Sequence, residues 1–168
     1  KSKGFRWVNE DSAVSETGDE PLQMARRFPG VPFAVDADRR HGVQKVVSER
    51  NPELIILDDA FQHRRVRPQI SILLTAWDAL YSEQCYLPAG DLRDHKSQAA
   101  RADLVVVTKC PAVPLQAQRS EIRSRLGLPA GQPLAFSTLR YDAVRDGEGN
   151  VIGEEELRQA PLTLVTGI

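Results

Sequence analysis

Leu54-Ile55-Ile56-Leu57-Asp58-Asp59-Ala60-Phe61-Gln62-His63 is the stretch that decides the fold. Four consecutive aliphatic residues fit a strand covered on both faces, as in a parallel sheet. The run ends in two acids, which puts carboxylates at a strand's carboxyl end, where open α/β sheets bind ligands. Outward from it, Ile70-Ser71-Ile72-Leu73-Leu74 and Leu104-Val105-Val106-Val107 are further apolar runs. Val31 to Val35 is a shorter one after Pro29-Gly30. Helical spacing fills the intervals. Pro21 to Phe28 carries Leu22, Met24, Ala25 and Phe28, and Pro21 suits a first turn. Arg40 to Arg50 carries Val43, Val46 and Val47 and ends at Asn51-Pro52. Leu115 to Leu126 is a third helix. Strand and helix alternate, which predicts a doubly wound, mostly parallel α/β sheet. Residues 1–18 give only weak structural signals.

Past Pro133 the pattern changes. Leu134 to Val144 and Asn150 to Ile152 flank Arg145-Asp146-Gly147-Glu148-Gly149, and Asp-Gly between strand-like runs is a hairpin signal. Glu154 to Gln159 reads as a short helix, and Leu162 to Val165 as the start of another buried strand. The chain begins at Lys1 and stops at Thr166-Gly167-Ile168, straight after an apolar run. The expectation is a fragment of a longer protein.

Charge narrows the function classes. Lys plus Arg is 22 and Asp plus Glu is 23, and a net charge of −1 argues against nucleic-acid binding by bulk charge. No apolar run reaches the roughly 18 residues of a spanning helix. Cys85 and Cys110 lie far from CxxC spacing and are expected as free thiols.

Chemistry concentrates at a few places. The Asp58-Asp59 pair after its aliphatic run resembles a Walker B element. A carboxylate there can hold Mg²⁺, which bridges nucleotide phosphates. Adjacent acids repel unless a cation or donors compensate, and a helix cap needs one acid, not two. His63 reads as a neighbour of that pair, a metal ligand or a solvated loop residue. Asp19, in Gly18-Asp19-Glu20-Pro21, reads as a helix cap or as a general base. In the long loop Leu87-Pro88-Ala89-Gly90-Asp91-Leu92-Arg93-Asp94, Arg93 either clamps a phosphate or pairs with a nearby acid. Asp38-Arg39-Arg40 follows the second strand, and Arg64, Arg65 and Arg67 form a basic run after His63. No GxxxxGK[ST] cradle occurs, since none of the eleven glycines precedes a lysine.

Taken in order, these motifs resemble one family, the tetraacyldisaccharide 4′-kinases of lipid A biosynthesis. The likeness rests on Gly18-Asp19-Glu20-Pro21, Asp36 to Arg40, Asp58 to His63 and Leu87 to Arg93. It continues in Ala102-Asp103, in Val107-Thr108-Lys109-Cys110-Pro111 and in Leu164 to Ile168. The form of Asp58 to His63 and Lys109-Cys110-Pro111 is similar to the Bacteroidetes branch. The resemblance implies a P-loop NTPase fold with two RecA-like lobes joined by a β-ribbon. Residues 1–132 would be a partial first lobe lacking its P-loop, 133–153 the ribbon and 154–168 the start of the second lobe. It implies ATP and Mg²⁺ as cofactors and phosphorylation of the 4′-hydroxyl of a tetraacyldisaccharide 1-phosphate, giving lipid IVA. This chain alone would be inactive. It implies Asp19 as catalytic base, Asp58 and Asp59 as organisers of Mg²⁺, and Gln62 and His63 lining the cleft. Arg39 and Arg93 fall near the phosphates or the lipid head group. The partner would be a lipid A disaccharide precursor at the cytoplasmic face of the inner membrane, reached through segments outside this chain, with no nucleic acid. One departure stands out: the family commonly shows Leu-Arg-Glu where this chain has Leu92-Arg93-Asp94, one methylene shorter. The residues themselves leave three other readings open. These are another P-loop NTPase or small-molecule kinase, a non-catalytic α/β module for an anion or protein, and a metal hydrolase on Asp58, Asp59 and His63.

Overall fold

A computed structural model describes residues 4–90, 92–146 and 148–159, with the side chain of Glu154 left aside. In chain order the elements are β1 (Arg6–Val8), α1 (Val14–Thr17), α2 (Asp19–Arg27), β2 (Phe33–Val35) and α3 (Arg39–Arg50). Then come β3 (Ile72–Ala76), a 3₁₀ turn (Lys96–Arg101), β4 (Leu104–Cys110), α4 (Gln116–Arg125), β5 (Leu134–Thr138) and α5 (Glu154–Gln159). Strands β3, β4 and β5 form a three-stranded parallel sheet in that order, with Leu73 opposite Val105 and Val106 opposite Ala135. The fold class is α/β.

The core follows from the pleat of β4. Val105 and Val107 are fully buried, two residues apart on one face. The next buried position is Cys110, not residue 109. Lys109 adopts a left-handed φ of 57° at a register shift against β5, and that extra residue turns Cys110 inward. Leu80, Ala102, Ile122 and Leu126 complete the buried cluster, and Phe61, Trp77 and Phe136 pack on its rim. Buried Thr75 is satisfied: its hydroxyl accepts the Tyr81 N–H at 2.9 Å and donates to the Ala79 carbonyl at 3.3 Å, whereas the buried Ser82 hydroxyl has no partner among the described residues. Cys85 and Cys110 are both free thiols.

The N-terminal part is built on a different sheet. β1 and β2 pair antiparallel, Trp7 opposite Ala34. Residues 1–18 therefore contribute β1 and α1, which their mixed polarity concealed. β2 was expected among parallel strands and instead faces β1. Helix α2 buries Leu22 and Ala25 on its inner side. The Trp7 indole N–H donates to Glu49 on α3 at 2.7 Å, tying strand to helix. Helix α3 ends at Asn51 in a left-handed cap (φ 43°), where Asn is among the side chains that accept that conformation.

Two strand expectations fail. Leu54–Leu57 belongs to no strand, and Leu54 and Ile56 are 74% and 83% exposed. An aliphatic run forms a ladder only where a neighbour offers backbone groups, and none of the described strands lies beside it. Ile72 and Leu74 on edge strand β3 are likewise exposed. Leu134–Thr138, expected to open the ribbon, is the third parallel strand. The hairpin survives in short form: Arg145 and Val151 make one antiparallel bridge, and the Asp146 carboxylate accepts the N–H groups of Glu148 and Asn150. No helix among the described residues is long and apolar enough to cross a membrane. The strand expected at Leu162 to Val165 lies outside the described residues.

Ile122 is 1% exposed in the cluster against β4. Ile122→Ala is expected to cost about 2–4 kcal/mol, read as a lower urea midpoint with unchanged slope. An unchanged midpoint would remove Ile122 from the core.

Candidate functional site

Asp19 is the first residue of α2, and its N-cap is Gly18 (φ 90°, ψ 161°) with no side-chain cap. The capping role expected for Asp19 is therefore not its role; an acid in the first turn complements the helix dipole without spending its oxygens on a cap. Asp19 is exposed, and among the described residues its carboxylate has no partner. Such a carboxylate remains available to a ligand's hydroxyl.

The second strand delivers Asp36, which is 7% exposed. Its Oδ1 accepts the Asp38 N–H at 3.0 Å, and its Oδ2 lies 2.6 Å from Nδ1 of His41. Burial pushes the Asp36 pKa up, but the His41 and Asp38 hydrogen bonds and the charges of His41 and Arg39 outweigh it, leaving a net lowering. Asp38 caps α3 by accepting the N–H groups of Arg40 and His41. Arg39 donates through Nη1 to the Asp36 carbonyl, which anchors its guanidinium at the head of α3. A Cβ at position 42 would come within 3.0 Å of the Asp36 Cβ, so Gly42 permits the helix to seat against that carboxylate.

The acidic pair lies on the loop after Leu57. Both Asp58 and Asp59 are exposed, and Asp59 takes a left-handed φ of 44°. Asp59 Oδ2 lies 3.7 Å from Nη1 of Arg93. Gln62 and His63 are exposed on the following turn, where the His63 N–H donates to the Ala60 carbonyl at 2.9 Å. Arg93 reaches this loop because Leu92 returns beside Cys85. The Leu92 N–H donates to the Cys85 carbonyl at 3.1 Å, and the Gly90 N–H to the Tyr86 carbonyl at 3.2 Å. Any Cβ at position 90 would sit 2.5 Å from the Cys85 carbonyl oxygen, so the close approach requires glycine.

The structure thus brings together Asp59 and Arg93. It draws no contact between Asp19 and Asp58 or Asp59, and among the described residues no group of three His, Cys, Asp or Glu side chains gathers to hold a metal. The donor set at the pair still fits Mg²⁺: exposed carboxylate oxygens suit a hard cation that keeps several waters. Sequence reading passed over the Asp36–His41 contact and the role of Arg101. Arg101 donates to the Phe61 carbonyl at 2.9 Å and covers the Phe61 ring at 4.6 Å. A partner forty positions away leaves no periodic signal. The Asp36–His41 contact has a local one, an acid at a strand end followed by a histidine inside the next helix's first turn.

A family model described as tetraacyldisaccharide-1-P 4′-kinase matches residues 1–168. A protein of Flavobacterium johnsoniae named tetraacyldisaccharide 4′-kinase is 41% identical over 169 residues, covering 100% of this chain and 50% of that protein. Proteins of the same name from Phocaeicola vulgatus and Bacteroides thetaiotaomicron are 40% and 38% identical, covering 100% and 99% of this chain and 48% and 47% of theirs. The chain spans about half the length of the curated relatives it matches. No solved structure matches.

Because the folded state lowers the Asp36 pKa, its ionised form stabilises the fold above the unfolded carboxylate value near pH ~4. That stability is lost as pH falls through the folded value. Asp36→Ala is expected to cost about 1–3 kcal/mol at pH 7, with the deficit shrinking below pH ~4. Urea melts between pH ~3 and pH ~7 check this; a deficit constant with pH would refute the charged pair.

Proposed function

The chain belongs to the tetraacyldisaccharide-1-P 4′-kinase family, and from that premise we propose that the intact protein phosphorylates the 4′-hydroxyl of a tetraacyldisaccharide 1-phosphate with ATP, giving lipid IVA. The observation that carries this reading is the match along all 168 residues, joined to whole-chain identity of 41% with a protein bearing that name. Work would take place at the cytoplasmic face of the bacterial inner membrane, where the lipid acceptor resides.

In this mechanism Asp19 takes the proton of the 4′-hydroxyl as its oxygen attacks the γ-phosphorus. The bond from that phosphorus to the β,γ-bridging oxygen breaks, and ADP leaves with the electron pair. The unpartnered Asp19 carboxylate supports this assignment. Asp58 and Asp59 would hold Mg²⁺, which supplies charge neutralisation at the phosphates when bound. Arg93, opposite Asp59, and Arg39, anchored at the head of α3, would contact phosphate oxygens of nucleotide or acceptor. Gln62 and His63, exposed on the turn between, would line the cleft.

The fold proposed for the intact protein is a RecA-like P-loop kinase of two lobes. Residues 1–132 together with β5 would be most of the first lobe, the Arg145–Val151 bridge would mark the connecting ribbon, and 154–168 would begin the second. The exposed aliphatic run at Leu54–Leu57 and the exposed edge of β3 support a lobe completed by further chain. With no GxxxxGK[ST] cradle in this stretch, the 168 residues alone would bind ATP weakly.

The test is the full-length protein with ATP, Mg²⁺ and the tetraacyldisaccharide 1-phosphate. A 4′-phosphorylated product is expected, and its absence would refute the reading. Asp19→Ala should lower kcat by on the order of 10²-fold or more, and normal turnover in that variant would exclude Asp19 as the base. Asp58→Asn and Asp59→Asn should each raise the Mg²⁺ concentration for half-maximal rate; an unchanged requirement would deny them the metal.

A further inference from the structure

The loop that carries Asp58, Asp59, Gln62 and His63 has no helix or strand to hold it. Its own hydrogen bonds are short-range: His63 N–H to the Ala60 carbonyl, Arg64 N–H to the Gln62 carbonyl and Val66 N–H to the His63 carbonyl. Something outside the loop must fix its position. Two tethers do so, and both meet at one side chain.

Asp94 Oδ1 accepts from Nη2 of Arg64 at 2.8 Å and from the His95 N–H at 2.9 Å. Its Oδ2 lies 3.6 Å from Nη2 of Arg101. Arg101 in turn donates to the Phe61 carbonyl at 2.9 Å and covers the Phe61 ring, which packs against the buried cluster of β4. The two tethers therefore grip the loop at Phe61 and at Arg64, on either side of Gln62 and His63. The Asp94 side chain is 20% exposed, whereas those of Arg93 and Asp59 are 67% and 74% exposed. The sheltered residue is the hub, and the open ones face each other beyond it.

We infer that Asp94 is a positioning residue: through Arg64 and Arg101 it fixes the 58–67 loop so that Asp59 meets Arg93. This rests on the kinase reading for its catalytic consequence, while the loop geometry stands without it. The carboxylate is not idle: each of its oxygens already faces a donor. Nor is its short side chain a deficit, because both arginines extend to meet it. The His95 N–H, against the opposing effect of burial and with the charges of Arg64 and Arg101, holds Asp94 below the usual carboxylate range, so it is ionised at neutral pH. The arginine side chains of these pairs are 61% and 38% exposed, and ion pairs open to solvent on one side contribute little to global stability. The loss of this hub should therefore register in the loop and in turnover, not in the melt.

The experiment uses the full-length protein carrying Asp94→Asn, Asp94→Glu, Arg64→Ala and the Asp94→Asn/Arg64→Ala pair. Asp94→Asn should speed amide hydrogen exchange across 58–67 by about tenfold. It should lower kcat by about tenfold while leaving the KM of the lipid acceptor near wild type. Asp94→Glu should recover kcat to within about threefold, because charge and acceptor oxygens return. The double variant should be no worse than the poorer single one, since both changes cut the same tether. Wild-type exchange in Asp94→Asn would overturn the inference, as would additive losses in the double variant. If the wild-type protein phosphorylates no disaccharide acceptor, the kinase reading falls, and the exchange of 58–67 still decides the role of Asp94.

Discussion

Among the described residues, β4 is the one strand of the parallel sheet that is hydrogen-bonded on both edges. Its inward residues, Val105, Val107 and Cys110, are the floor on which Leu80, Ile122 and Leu126 pack. A strand with both edges paired leaves no backbone group open to water along its middle, so the local chain has one register. The bulge at Lys109 is part of that constraint. Without the additional residue, position 109 would point inward and bring a lysine to the place Cys110 occupies. Phe61 packs on the rim of the same cluster, so even the exposed acidic loop takes its footing from β4.

What the sequence disclosed and what it withheld follow from the range of the forces involved. Helices α2, α3 and α4 were legible because their apolar residues recur within a few positions, and each was found within two residues of its expected limits. Strands β3 and β4 were legible because each carries a continuous aliphatic run. Leu54–Leu57 is as aliphatic as the start of β4 and yet forms no ladder, because pairing depends on a neighbour and not on the residues alone. From sequence, β5 reads as one side of a ribbon for a related reason. The Asp-Gly turn that follows is a strong local signal, while parallel pairing to β4 is a contact between residues about thirty positions apart. β1 is three residues long, too short for any period to show.

The functional residues divide along the same line. Motif order made Asp19, Asp58, Asp59, Gln62, His63, Arg39 and Arg93 visible as a set. Geometry adds what a motif does not contain: which of them already face partners. Arg39 is tied to the Asp36 carbonyl and Arg93 stands opposite Asp59, while Asp19 has no partner among the described residues. Asp36 and Asp94 are the reverse case. Their carboxylates are engaged on both oxygens, and their work is to hold His41 and the two arginines in place.

Asp59 shows how tightly one position can be specified. Its backbone lies in the left-handed region, which glycine, asparagine and aspartate enter at least cost and β-branched side chains scarcely at all. Its outward carboxylate faces a guanidinium, which asks for an acid. The residues acceptable to the backbone and those acceptable to the charge overlap in a single amino acid. A library randomised at this codon and selected for function would therefore return aspartate almost alone, with asparagine and glycine surviving only where folding is the sole filter. Glutamate, chemically the nearest relative, would carry a conformational penalty that aspartate meets more readily.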